Sequence, residues 1–223
     1  MRRKTMILRT LLLTIFLGGA SSMAEDRVLF EFDAPDAAKA WQTVNDGVMG
    51  GRSDGRFKIS EDNKLEFFGT LSLENNGGFA SVRSTESKLG LKNGDAIVIR
   101  VRGDGRDYNF NLYVPRSISR NSYRQSFQTK KNEWVEVTLP MEKFVATWRG
   151  RVFPNQAFDA RDISGVGIQL SDKKAGPFKL EVEWIKARSS PIVSASMKVR
   201  RDIASIDGRQ ARHQLDVPHF RSR

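Results

Sequence analysis

The 223-residue chain contains no cysteine and only two histidines. Without a thiol there is no disulfide, no thiolate metal site, no redox pair and no sulfur nucleophile. His213 and His219 both lie in the last stretch of the chain. The body, residues 25–187, therefore holds no imidazole, which removes serine–histidine triads, histidine general bases and histidine metal sites together. Long apolar runs are also missing: the longest, Leu11 to Leu17, is too short to cross a bilayer of roughly 30 Å as a helix. No Asp-x-Asp-x-Asp run suggests a calcium loop, and no Gly-Lys-Ser/Thr follows any glycine cluster. Only carboxylate chemistry remains open, as a glycosidase-like acid pair or a hard-cation site. The body has 23 Asp and Glu, yet no spacing singles out a pair. The expectation is a protein that is not an enzyme and carries no cofactor and no metal.

The two ends differ in kind from the body. Arg2, Arg3, Lys4 and Arg9 precede and enter the apolar run, and Ser22-Met23-Ala24 supplies small residues of the signal-peptidase type. Residues 1–24 read as a secretory signal peptide of an exported, periplasmic or secreted protein. An uncleaved membrane anchor is one alternative. A mitochondrial transit peptide is another, since the segment is arginine-bearing and free of acids. Residues 188–223 hold no sustained helix or strand period and read as a basic, disordered tail. The chain has 37 basic and 26 acidic residues, a net charge of +11, but residues 25–187 have 25 and 23. The surplus belongs to the ends, so nucleic-acid binding loses its main support. The tail is suited to weak contact with an anionic surface.

What the body does have is period-two alternation, repeated along its length. Ile97, Ile99 and Val101 alternate with polar residues. Tyr108, Phe110, Leu112 and Val114 do the same, as do Tyr123 with Phe127, Val135 with Val137 and Leu139, and Val166 with Ile168 and Leu170. Phe178, Leu180, Val182 and Trp184 complete the set. Such runs are half-buried antiparallel strands. Earlier candidates are 28–33, 55–60, 65–71 and 78–83. Asn76-Gly77-Gly78, Asn93-Gly94, Gly103-Asp104-Gly105 and Ala175-Gly176-Pro177 supply the turns. Nine or ten short strands of this kind make an all-β sandwich or jelly roll. One short helix is expected over Pro35 to Trp41, capped near Asp33. Trp41, Met49, Phe79, Phe178 and Trp184 read as core.

The polar halves of the strands offer a second pattern. If the strands pair as neighbours, Arg100, Arg102, Asn109, Asn111, Tyr113, Arg124, Gln128 and Gln169 share one sheet face. Such side chains can hydrogen-bond sugar hydroxyls, carboxylates or a peptide, or simply form a wet surface. The segment from Asn45 to Gly55 (NDGVMGGRSDG) is rich in residues that tolerate positive φ. It suits either an anion cradle of backbone amides or a tight loop in which Asp46 caps amides. Candidate binding residues are those of the two glycine loops and the arginines near them: Asn45, Asp46, Ser53, Arg83, Arg102, Asp104, Arg106, Tyr108 and Arg149. In these roles Asp46 and Asp104 orient loop amides or accept from a ligand, and the arginines bind carboxylate or hydroxyl groups.

Trp41 followed by Val44-Asn45-Asp46-Gly47-Val48-Met49-Gly50-Gly51 and Ser53 resembles the signature of the complex I intermediate-associated protein 30 family. Phe68-Gly69-Thr70-Leu71, Gly77-Gly78-Phe79-Ala80-Ser81-Val82-Arg83, Arg102-Gly103-Asp104-Gly105-Arg106 with Tyr108, Gly165-Val166-Gly167-Ile168, and Ala175 to Glu181 with Trp184-Ile185 continue the likeness in order. It covers residues 28–187. The resemblance implies a jelly-roll β-sandwich of the galactose-binding-like type. It also implies an assembly role, since the family's best-known members help assemble mitochondrial respiratory complex I without catalysis of their own. Two functions follow as expectations: a chaperone-like module that binds a protein partner, or an exported carbohydrate-binding module that binds a glycan. The second requires exposed aromatic rings, for which Tyr113, Trp134 and Trp148 are the candidates.

Overall fold

A computed structural model describes residues 25–189. The expectations for residues 1–24 and for the tail from 190 onward lie outside the described residues. In chain order the strands are β1 (Asp26–Phe30), β2 (Trp41–Thr43), β3 (Asp54–Ile59), β4 (Leu65–Leu71), β5 (Ala80–Ser84), β6 (Ala96–Arg102), β7 (Asp107–Tyr113), β8 (Ser122–Gln128), β9 (Trp134–Pro140), β10 (Val145–Trp148), β11 (Arg151–Phe153), β12 (Gly165–Leu170) and β13 (Gly176–Arg188). They form two sheets. The first runs β3-β4-β13-β6-β9, with β1 also on β13; the second runs β11-β10-β8-β7-β12-β5-β2. The strand pairs are antiparallel. The result is the expected jelly-roll sandwich.

The alternation explains how the sheets close on one another. Leu65, Phe67, Ile97, Ile99, Val101, Leu180 and Val182 from the first sheet meet Val82, Tyr108, Phe110, Leu112, Val166, Ile168 and Leu170 from the second. Burial of such side chains stabilises by about 1.5–3 kcal/mol each relative to exposure. Strand β13 is the spine of the first sheet. Its first half pairs with β4 and its last residues with β1, while β6 lies along its other side. Arg188 pairs with Asp26 across the β1–β13 ladder, and their side chains form a two-point ion pair at 2.7 and 2.9 Å. The backbone amide of Ser189 donates to the carbonyl of Glu25 at 3.0 Å. The two ends of the sandwich thus leave from one corner, and Arg188 belongs to the fold rather than to the tail.

Several expectations are corrected. No α-helix forms over Pro35 to Trp41: a four-residue 3-10 turn, Ala37–Ala40, stands there without a side-chain cap, and Trp41 already begins β2. Packing of Trp41 edge-on to Phe30 at 5.0 Å in the core holds that residue extended, so tertiary burial overrides a weak local helix signal. Strands β2, β10 and β11 are additional; at three or four residues they are too short to show a period. Trp184 does not point inward. A bulge between Val182 and Trp184 shifts the register, so Ile185 and Ala187 take the inward positions, as an extra residue reverses the alternation. Met49 is 62% exposed rather than core.

Candidate functional site

The glycine-rich segment is built around one carboxylate. Asp46 is fully buried. Its Oδ1 accepts the backbone amide of Ser53 at 2.9 Å. Its Oδ2 accepts the Ser53 hydroxyl at 2.5 Å and the amides of Gly78 and Phe79 at 2.6 and 3.2 Å. Ser53 Oγ in turn accepts from the Ser72 amide at 3.0 Å, and Asn45 donates to the Gly55 carbonyl at 2.9 Å. One side chain therefore fastens three segments of chain. The glycines allow it to fit, because a methyl group on Gly51 would lie 2.4 Å from Asp46 Cγ and one on Gly77 would lie 2.6 Å from Oδ2. Asn45, Asp46 and Ser53 face into this knot, and Val48 and Met49 are the large apolar side chains the loop exposes.

A second knot ties the β6–β7 loop to the β12–β13 loop. Arg106 donates to both oxygens of Asp172, at 3.0 and 2.7 Å, and to the carbonyls of Lys174, Gly176 and Pro177. Asp104 accepts the backbone amides of Arg106 and Lys179 and the hydroxyl of the buried Tyr108. Burial and the nearby Asp104 charge drive the Tyr108 phenol far above its usual range. On the first sheet Arg102 grips Glu181 through two bonds at 2.5 and 2.9 Å and lies over the Trp134 ring. Arg149 sits at a positive φ of 48° and stacks over Trp148 at 5.0 Å. Of the nine candidate binding residues, seven are thus committed to internal bonds, Arg149 lies beside an exposed ring, and Arg83 stands half-exposed on the outer face of the second sheet.

That face is the outer side of the second sheet, and strand register defines it. Val145 on β10, Arg124 on β8, Asn111 on β7, Gly167 on β12, Arg83 on β5 and Gln42 on β2 are successive cross-strand partners. They form one row across six strands. The next row carries Ser126, Asn109, Gln169 and Ser81, and the row on the other side carries Thr147, Ser122, Tyr113 and Gly165. None of the residues in these three rows is acidic; Asp107, opposite Gln128, lies one step beyond them on the same face. Expected members Asn109, Asn111, Tyr113, Arg124 and Gln169 are brought together here. Arg100 and Arg102 are not: β6 lies in the opposite sheet, because β7 pairs with β8 and β12 instead. Gln42 and Gly167 were missed, the first because β2 has no period and the second because a glycine in a strand declares nothing about its neighbours.

The row is held by its own side chains. Arg124 Nε donates to Asn111 Oδ1 at 3.1 Å, and its Nη2 donates to Gln169 Oε1 at 2.6 Å. Arg83 Nε donates to Ser81 Oγ at 3.1 Å, and its guanidinium lies 5.1 Å above the Tyr113 ring. Gly167 makes the floor. A methyl group there would meet the Val82 carbonyl oxygen at 2.8 Å, the Tyr113 ring at 3.0 Å and Arg83 Cγ at 3.1 Å. Gly167→Ala is accordingly expected to destabilise the fold by about 1–3 kcal/mol, as overpacking does, and to displace Tyr113 and Arg83. Thermal unfolding, together with the Tyr113 ring resonances, checks this.

The ionised knots also predict a pH response. Burial raises the Asp46 carboxyl, but the bonds from Ser53, Gly78 and Phe79 outweigh it and leave the pKa below the ordinary 3.8. Asp172 follows the same pattern through Arg106. The Arg102 bond holds Glu181 below its ordinary 4.5. A depressed native pKa contributes stability that is present above the unfolded value and lost as pH falls toward the native one. Asp95 runs the other way, since burial raises it, but it stands alone against these three. The melting temperature is expected to hold above about pH 5 and to fall steadily below about pH 4. A flat profile from pH 6 to pH 3 would contradict this.

Comparison with known proteins agrees with the geometry. The family described as complex I intermediate-associated protein 30 matches residues 30–182. The mitochondrial protein of that name from Mus musculus is 31% identical over 191 residues, covering 76% of this chain and 58% of its own length. The Drosophila melanogaster protein is 26% identical, covering 75% and 64%. The chain therefore spans somewhat under two thirds of these relatives. Both are named mitochondrial, which corresponds to the transit-peptide alternative and gives the export reading no support. Among solved structures, a family 11 carbohydrate-binding module from Clostridium thermocellum, in complex with a β-1,3-1,4-mixed-linked tetrasaccharide, superposes with a TM-score of 0.54 at 12% identity, over 74% of this chain and 96% of that one. An agarase superposes with a TM-score of 0.51 at 13% identity, over 74% of this chain and a quarter, 25%, of its own. At such identities these two share the fold. The sequence match runs from the end of β1 into β13, across both knots and the polar row, and so this chain belongs to the complex I intermediate-associated protein 30 family.

Proposed function

We propose that this chain is a non-catalytic binding module that holds a protein partner on the outer face of its second sheet and acts as an assembly factor. The observation that carries this reading is the acid-free polar row running across six strands, with Arg83 and Arg124 both on it. Family membership supports the assembly role, since the relatives are named for association with an intermediate of complex I. Amide and guanidinium groups in register can pair with the backbone and side chains of an extended partner segment. The test is partner capture from the native host with the full chain. A discrete partner is expected at moderate salt and is expected to be lost when Asn111 and Gln169 are both changed to alanine. Capture of background proteins only, by parent and variant alike, defeats the proposal.

A glycan reading draws on the same face and on the fold shared with carbohydrate-binding modules. Its aromatic platforms are compromised: an arginine lies over each of Tyr113, Trp134 and Trp148. A pyranose would have to displace a guanidinium to stack there. The protein reading is therefore preferred. The compartment is proposed on the same footing: the acid-free leader with Arg2, Arg3, Lys4 and Arg9 fits mitochondrial import as well as export, and the names of the relatives favour the former.

A further inference from the structure

We propose that Arg83 and Arg124 together form a receptor for a single carboxylate, carried as a Glu or Asp side chain on an extended peptide that crosses the row above Gly167. This rests on the reading of the face as a protein-binding surface and names what is recognised there.

Charge pairing separates these two arginines from most others. Arg52, Arg56, Arg100, Arg102, Arg106, Arg161 and Arg188 each have a carboxylate within 4.0 Å. Among the described residues, neither Arg83 nor Arg124 has one. Their partners are all neutral: Ser81 Oγ for Arg83, Asn111 Oδ1 and Gln169 Oε1 for Arg124. Neutral acceptors orient a guanidinium without cancelling its charge, and a guanidinium fork matches a carboxylate. These bonds engage Nε of Arg83 and Nε and Nη2 of Arg124, leaving the remaining N–H groups for a ligand.

Strand register puts the two arginines on one row of one sheet face. Three strand spacings separate their Cα positions, roughly 14 Å, and the strand position between Asn111 and Arg83 is Gly167, over which the Tyr113 ring and the stem of Arg83 close. Arg83 rests on Tyr113, and both arginines lower that phenol's tendency to stay protonated, although burial dominates and raises it. Arg124 is itself desolvated: burial lowers its pKa, and the Arg83 charge acts in the same direction. Two guanidiniums on one row of a sheet face, neither with a carboxylate within 4.0 Å among the described residues, favour the arrival of an anion. The peptide assignment follows from the surroundings. Asn111 and Gln169 are buried beneath the arginines and bonded to Arg124, Gln42 is exposed at the end of the row, and the one aromatic ring among them is capped by Arg83.

The experiment is a residue-resolved NMR titration of the full chain with capped hexaglutamate, capped hexaglutamine and hexagalacturonate. Hexaglutamate is expected to shift the amides of Asn111, Gly167 and Gln169 and to bind at least tenfold more tightly than hexaglutamine. Arg83→Gln and Arg124→Gln are each expected to weaken it at least tenfold, and the double variant little further, because one carboxylate is shared. Arg124→Lys, which keeps the charge and the fold but loses the fork, is expected to retain part of the affinity. Equal binding of hexaglutamate and hexaglutamine overturns the carboxylate receptor, and if partner capture still depends on Asn111 and Gln169 the binding-face reading survives it. Tighter binding of hexagalacturonate than of hexaglutamate overturns the peptide assignment. Shifts confined to residues off the second sheet overturn the site.

Discussion

Replacing Asp46 with alanine is expected to cost about 3–5 kcal/mol and to lower the melting temperature by about 10 °C or more. The carboxylate accepts four hydrogen bonds in a fully buried setting. Deleting it leaves the amides of Ser53, Gly78 and Phe79 without their acceptor, and an unmet buried donor costs about 1–3 kcal/mol. Asp46→Asn is no rescue. Both oxygens face donors, so the amide NH2 must confront an N–H whichever way it is placed. Asparagine is therefore expected to fall near alanine rather than near the parent. Gly51→Ala should behave similarly, since its methyl would lie 2.4 Å from Asp46 Cγ. Denaturant unfolding of the three variants measures this, and an asparagine variant within 1 kcal/mol of the parent, roughly the worth of one ordinary hydrogen bond, would show that the knot is not what holds the loop.

Arg106 gives the second large effect. Its side chain is 12% exposed and that of Asp172 only 5%, so removing the arginine leaves a buried carboxylate with only the Lys174 amide as a partner. Arg106→Ala is expected to cost about 3–5 kcal/mol, as loss of one partner of a buried pair does. It also releases the carbonyls of Gly176 and Pro177 at the start of β13. Asp172→Ala strands the cation instead, which still has those carbonyls, and should cost less. The double variant should be well short of the sum of the two, because neither uncompensated charge remains. A double-mutant cycle in urea reads the coupling directly. Strict additivity would mean that the pair is solvated in solution and the two loops are tied by something else.

Much of the sandwich was legible in the chain because alternation is a local property. The β4 range was read directly from Leu65 to Leu71, and the inward residues of β6, β7, β8 and β12 follow their period without exception. What failed did so where the cause is distant. The bulge before Trp184 cannot be seen without the register of β6. Trp41 left its helix for a contact with Phe30. The binding candidates divide along the same line. Asp46 does cap amides, but two of the three belong to Gly78 and Phe79, 32 and 33 residues away, so the local Asn-Asp-Gly run suggests the role without naming the partners. Arg102 and Arg106 looked available because their partners, Glu181 and Asp172, lie 79 and 66 residues away. Arg124 and Asn111 were placed on a shared face by alternation, but that they join Arg83 required the order β8-β7-β12-β5, which no short-range pattern contains.

The meeting of Asp26 with Arg188 has a mechanical meaning. Both flanking segments spring from one corner of the first sheet, so the sandwich hangs like a plate from a single hook. Load applied through either flank enters at that corner and passes along β13. The polar row is on the far side of the plate, facing away from the hook. A partner seated there would meet neither Glu25 nor Ser189, the two points at which the described sandwich continues into the rest of the chain.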